Sequence, residues 1–198
     1  MKNLKSASFI LPLLFLFLAG CGGTAEEDVH NCHEYVDLGL PSGLKWATCN
    51  VGAERPQERG ELFSWGDIQS KTDYTPGNTI LYGELWYSID ALRSDGIIDK
   101  VGNLTREYDA AAGNWGGEWR MPSSAEMEEL FRECNIKTES DSSMLLEGPN
   151  GNTIMIHKTG YWTATAGRDS SLTARCFNDN GVALMERYSG LAVRPVCD

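Results

Sequence analysis

Between Trp119 and Cys134 the chain reads WRMPSSAEMEELFREC, which sets Glu126, Glu128, Glu129 and Glu133 beside Arg120, Arg132 and the Cys134 thiol. Grouped carboxylates can move protons, and a thiol beside guanidinium groups can become a nucleophile. The spacing points to a different use. Ser123-Ser124-Ala125-Glu126 fits a capping box, with Ser123 accepting from the third helical amide and Glu126 returning to the Ser123 amide. Met127, Leu130, Phe131 and Cys134 follow at i, i+3, i+4 and i+7, one apolar stripe. Glu126, Glu128 and Glu129 occupy the first turns, where the helix dipole favours negative charge. These carboxylates start a helix; they do not assemble a reaction centre.

Other reactive side chains are isolated. The run His30-Asn31-Cys32-His33 could hold a metal, but no second Cys or His cluster follows at a ligand spacing. His157 is the one histidine beyond that run, on a strand pattern with Met155, and no Ser or Cys motif accompanies it. Asp141-Ser142 and Asp169-Ser170 read as loop residues without a partner base, and no phosphate-cradling glycine loop occurs. The expectation is a protein that is not an enzyme, with no catalytic residue, no metal and no cofactor.

The elements that position these residues begin after an export signal. Lys2 and Lys5 precede an apolar run from Phe9 to Leu18, too short for a comfortable membrane span. Leu18-Ala19-Gly20-Cys21 resembles a bacterial lipobox, implying cleavage before Cys21 and acylation there. Residues 1–20 are read as a signal peptide, 21–31 as a lipidated acidic tether and 32–198 as a single domain. Removing Lys2 and Lys5 leaves 15 basic against 28 acidic residues, a net charge of −13 against −11 for the whole chain. That sign excludes nucleic acid as a partner and disfavours adsorption to anionic lipid, so membrane contact is expected through the acyl chains on Cys21.

Within the domain, periodicity predicts strands at 33–38 and 44–48 around Gly39-Leu40-Pro41-Ser42-Gly43 and a third apolar run at 62–65. A helix is expected over 84–93 from Leu85, Ile89 and Leu92, with a further helical turn at 108–112. After the capped helix the pattern is all β. Strands at 143–147 and 153–157 flank Asn150-Gly151, the next lies at 161–165, and 173–178 and 182–187 flank Asp179-Asn180-Gly181. Residues 191–196 close the chain.

The segments Glu34 to Ala53 (EYVDLGLPSGLKWATCNVGA), Phe63-Ser-Trp-Gly-Asp67, Tyr108-Asp-Ala-Ala111, Asn114 to Pro122, Gly148-Pro-Asn-Gly-Asn152, Gly160-Tyr-Trp162 and Val193-Arg-Pro-Val-Cys197 resemble, in order, the Fibrobacter succinogenes major paralogous domain. That family is abundant in lipoproteins of gut Bacteroidetes. Arg120-Met-Pro-Ser-x-x-Glu126 resembles more distantly the formylglycine-generating sulfatase-modifying proteins. Both resemblances imply an α+β, C-type-lectin-like fold of short antiparallel strands and hairpins with two or three helices, its N- and C-terminal strands paired. The distant enzymes' pair of copper thiolates has no counterpart near Cys176, and Gly148-Pro149-Asn150 has glycine where a lectin calcium triplet needs a carboxylate.

The resemblance further implies a surface setting; the expectation is a non-catalytic, monomeric binding module for a glycan or protein ligand, anchored in the outer membrane at the cell surface. A structural subunit of a surface assembly and a degenerate sulfatase-modifying enzyme are the alternatives. Glu26-Glu27-Asp28 resembles a surface-export signal of the same bacteria. The ligand surface usual for such a fold places Tyr161, Trp162, Arg168, Asp169, Arg175, Asn178, Asn180 and Tyr188 as binding candidates. Five thiols follow Cys21, and export favours pairing. The family motifs suggest Cys49 with Cys134, and the expected fold Cys32 with Cys197, leaving Cys176 over; a Cys176–Cys197 bridge is the rival.

Overall fold

Gly39-Leu40-Pro41-Ser42-Gly43 turns the chain back on itself between β1 (Tyr35–Asp37) and β2 (Lys45–Ala47), which pair antiparallel with Val36 opposite Trp46. The Asp37 carboxylate accepts from the Gly39 amide at 2.7 Å, and Gly43 donates to the Leu40 carbonyl at 2.9 Å. This computed structural model describes residues 33–81, 88–138, 143–168, 172–178 and 180–198. The signal, the tether, Cys21, Cys32, Trp86 and Asp169 lie outside the described residues.

Nine strands and three α-helices are described, in three small antiparallel sheets, so the architecture is α+β. The first sheet has the order β1-β2-β9, with β9 (Val196–Cys197) against the far side of β2. The terminal strands therefore share a sheet without pairing, which corrects the expectation. The tight turn gives one edge of β2 to β1 and leaves its other edge open to the C-terminus.

The second sheet follows α3 (Ser124–Glu133) and runs β3 (Asn135–Thr138), β4 (Ser143–Glu147), β5 (Thr153–His157). The turn between β4 and β5 docks on the turn between β1 and β2. Asn150 and Asn152 both donate to the Asp37 carbonyl, at 2.9 and 2.8 Å. A Cβ on Gly148 would run into the Leu38 carbonyl, so only glycine permits this approach. The two glycine-rich stretches are thus one contact.

The third sheet is β6 (Tyr161–Ala166), β7 (Thr173–Asn178), β8 (Gly181–Glu186), with a register shift between Trp162 and Ala166. Apart from α3 the helices are short. The first, α1 (Ile89–Ser94), starts at an extended Ser88 whose hydroxyl accepts from Ala91; residues 84–87 of the expected 84–93 helix lie outside the described residues. The second, α2 (Ala110–Trp115), is capped by Asp109 and preceded by a 3-10 turn at Arg106–Tyr108. Ser123 and Glu126 form the capping box at the start of α3, and Met127 and Leu130 are buried below it. The apolar run at 62–65 and the start of the segment 191–196 make isolated bridges, Phe63 with Leu191 and Tyr161 with Ala192, and only Val196 of that segment enters a strand, β9.

Two cores lie on either side of this framework. One gathers Phe63, Trp65, Leu92, Ile98 and Trp162; the other gathers Leu38, Trp46, Met127, Leu130, Leu146 and Tyr161. Indole donors lock the long loop to β6, Trp65 Nε1 to the Thr163 carbonyl at 3.0 Å and Trp162 Nε1 to the Phe63 carbonyl at 2.7 Å. Arg194 is fully buried and has no acidic partner among the described residues. Its guanidinium donates to Asn50 Oδ1 and to the carbonyls of Ala47, Thr48 and Met155, all at 2.7 to 2.8 Å. Burial holds its pKa down, yet these four acceptors join the first and second sheets.

Cys49, Cys134, Cys176 and Cys197 are free. The Cys49–Cys134 and Cys176–Cys197 bridges are therefore not formed in this structure. On β2, Trp46 points into the cluster that holds Cys134, and Ala47 points toward Trp119 and Cys197. Beyond β2, Cys49 lines a cavity with His33 and Trp115, whereas Cys134 packs in the cluster of Met127 and Leu130.

Candidate functional site

Strand alternation also decides which late β residues reach a surface. On β7, Ala174 and Cys176 enter the first core, whereas Phe177 turns to α3 and stacks on Phe131 with ring centroids 3.9 Å apart. Arg175 shares the Phe177 face and so points toward α3. There it lines a cleft of about 470 Å³ closed by α1, the start of α3 and the end of β6. Arg93, Arg168, Glu128, Ser124 and Thr165 contribute its other polar groups, and Ile89, Val101, Ala125 and Ala166 its apolar ones.

The floor of the cleft is fixed by a short relay. Thr165 Oγ1 accepts from the Ser124 amide at 2.9 Å and donates to Asn103 Oδ1 at 2.7 Å. Beyond Asn103 lies a second cavity of about 360 Å³ that includes Asp109, Arg120 and Glu126. Its charged groups are already committed. Arg120 reaches Glu126 through two bonds of 2.9 and 2.8 Å, and Asp109 accepts from Ala111, Ala112 and Met121 amides at 2.8 to 3.0 Å. Burial pushes the Asp109 carboxyl up, opposed by those amides.

In the first cleft the guanidinium groups are less engaged. Arg93 Nη1 pairs with Asp90 at 3.1 Å on an exposed face, which is worth little in water. Arg168 is exposed and Arg175 half-buried, and neither has an ion-pair partner among the described residues. The buried Nε of Arg175 has no hydrogen-bond acceptor there.

The eight binding candidates are thus divided. Arg168 and Arg175 come together in the cleft. Tyr161 and Trp162 do not belong to any ligand surface: they are 2% and 0% exposed, and the Tyr161 hydroxyl is held by Asn50 Nδ2 and the His157 amide. The physical reason is that β6 is covered on both faces, one by each core. Asn178 and Asn180 form the β7–β8 turn at the opposite end of β7 from Thr173, with the Asn180 amide on Asn178 Oδ1 at 2.9 Å. Tyr188 follows β8 and is tied through its carbonyl to Ser64. Asp169 lies outside the described residues.

Sequence patterning passed over Arg93, Ser124, Glu128 and Thr165 as cleft residues. Three of them sit on helices whose polar faces read as solvated, and only the packing of α1 and α3 against β6 makes them neighbours.

A third cavity of about 420 Å³ holds His33, Glu34, Cys49, Glu54 and Trp115. The His33 ring stacks on Trp115 at 3.8 Å, and burial lowers its pKa. Among the described residues no cluster of three or more His, Cys, Asp or Glu is placed to hold a metal ion. No helix among them is long and apolar enough to cross a membrane. Comparison with protein-family models, with curated proteins and with solved structures gives no match for this chain.

Proposed function

We propose that the protein is a lipid-anchored, surface-displayed binding module of the C-type-lectin-like type, related to the Fibrobacter succinogenes major paralogous domain. The lipobox-like Leu18-Ala19-Gly20-Cys21 supports the anchor. The family reading is supported by the motif order given above, because each motif has a structural use. Asn150 and Asn152 clamp the first turn, Trp65 and Trp162 lock the loop, and Arg194 bridges two sheets. Three small sheets with the terminal strands gathered on β2 agree with a C-type-lectin-like topology.

The observation that carries the binding reading is the cleft beside Arg175. It is concave, it is built by four separate elements, and it contains guanidinium donors that the fold itself does not consume.

The test is a glycan and host-protein array probed with the full chain in detergent micelles. Saturable binding is expected, reduced by Arg168→Ala and Arg175→Ala while thermal unfolding stays cooperative. Binding that ignores both substitutions contradicts the reading. For the anchor, Cys21→Ala is expected to abolish palmitate labelling and release the chain from the membrane fraction; unchanged labelling contradicts it. Protease shaving of intact cells then separates the outer from the inner face.

A role in a surface assembly is favoured by one feature, the open edge of β8, where Leu184 and Met185 are 50% and 37% exposed. Concentration-dependent sedimentation of the full chain, lost on Leu184→Lys, would support it.

A further inference from the structure

We propose that the cleft between α1, α3 and β6–β7 binds a sugar residue carrying a carboxylate or sulfate group, with Arg168 and Arg175 holding the anion. This rests on the binding-module reading and adds the chemical class of the ligand. The chain as a whole is acidic, with a formal net charge of −11. Among the described residues the cleft inverts that sign, since its ionisable side chains are Arg93, Arg168 and Arg175 against Glu128.

Arg168 and Arg175, unlike Arg93 with its exposed Asp90, have no ion-pair partner among the described residues. Buried carboxylates elsewhere have their donors: Glu126 is held by Arg120, and Asp109 by three amides. Arg175 instead leaves a buried Nε–H without an acceptor among the described residues. Buried donors in native proteins almost always find a partner, and a ligand oxygen would supply one. A guanidinium presents parallel N–H groups that match the two oxygens of a carboxylate or the face of a sulfate.

The rest of the wall suits a sugar ring better than a polyanion. Glu128 can accept from ring hydroxyls, while Ile89 and Val101 offer apolar surface to the C–H face. A volume of about 470 Å³ takes one or two sugar units. An extended polyanion would bring many charges against a strongly acidic molecule, whereas a short uronic or sulfated oligosaccharide brings few and carries them on rings the wall can hold.

The experiment titrates the full chain in detergent with trigalacturonate, its neutral methyl ester, a monosulfated disaccharide and tetraglutamate. At least one acidic sugar is expected to bind about tenfold or more tightly than the ester, because a charge-assisted bond to an arginine is lost in the ester. Which of the two acidic sugars binds better identifies the anion. Arg168→Ala and Arg175→Ala are each expected to weaken that binding by about tenfold. Should Arg175→Ala unfold, Arg168→Ala and Arg175→Lys carry the comparison, since Arg168 is exposed and lysine keeps the charge without the fork. Equal binding of ester and acid, tighter binding of tetraglutamate, or no binding of either acidic sugar overturns the proposal. Neutral glycans bound at this cleft would remove the anion and leave the binding module standing; an array with no ligand at all would remove both.

Discussion

Trp162 and Arg175 lie on neighbouring strands and have opposite roles. Trp162 is fully buried with its indole N–H on the Phe63 carbonyl, so Trp162→Ala opens a cavity and orphans a carbonyl. Its expected cost is about 3–5 kcal/mol, read as a lower urea midpoint at unchanged slope. A loss below about 1 kcal/mol would place Trp162 outside the core. Asp109→Asn is a finer test of a buried polar group. An amide can still accept from Ala111 and Ala112, but its NH₂ then faces the Met121 N–H, and the clash is expected to cost about 1–3 kcal/mol. Thiol chemistry follows burial in the same way. The Cys134 thiol is pushed up to about 11 by burial and by Glu133, and burial raises Cys176 as well. Both are expected to resist iodoacetamide in the native protein and to label fully after denaturation; a Cys134 recovered as a disulfide would contradict the free thiol described above.

At the scale of elements, what could be read from sequence was what is decided locally. The α3 capping box is fixed by Ser123 and Glu126, three residues apart, and needs nothing from the rest of the chain. Glu126 carries a pH signature. Burial raises its pKa, but the hydrogen bonds from Arg120 and the Ser123 amide more than offset that, and the net shift is downward. A depressed folded-state carboxyl contributes stability that is present above its ordinary value of 4.5 and lost as pH falls through the folded value. Glu126→Gln is therefore expected to be less stable at neutral pH and to lose less stability on acidification below 4.5 than the parent chain. Parallel acid limbs would rule out this role. The hairpins were legible for the same local reason, through Asn150-Gly151 and Asn180-Gly181. β3 was not: Asn135-Ile-Lys-Thr138 follows the helix without a turn signal, and its strand state comes from pairing with β4. Phe63 lies in the apolar run at 62–65 and Leu191 opens the segment 191–196, yet the two make a single bridge, because the Trp65 amide turns to the Arg187 carbonyl instead of continuing the ladder.

At the scale of the whole molecule, aromatic residues near a predicted ligand surface proved to be the core that supports it. The sequence marks Tyr161 and Trp162 as aromatic and strand-borne, but a strand covered on both faces cannot be told from a half-exposed one by alternation alone. The cleft was half legible: Arg168 and Arg175 were singled out, and Arg93 and Glu128 were hidden on helices. Its existence depends on α1 and α3 meeting β6 and β7, a long-range arrangement that no local pattern encodes. The same holds for the terminal strands, which meet through β2 rather than directly. The central claim is that this cleft is where ligand is held. It is tested most directly by following the arginine Nε–H resonances of the isotope-labelled full chain during titration with trigalacturonate. Saturable shifts of the Arg168 and Arg175 signals are expected, with those of two exposed arginines outside the cleft unmoved, Arg55 paired with Glu58 and Arg132 paired with Glu133. Uniform drift of all four signals, or shifts confined to arginines outside the cleft, would contradict the claim.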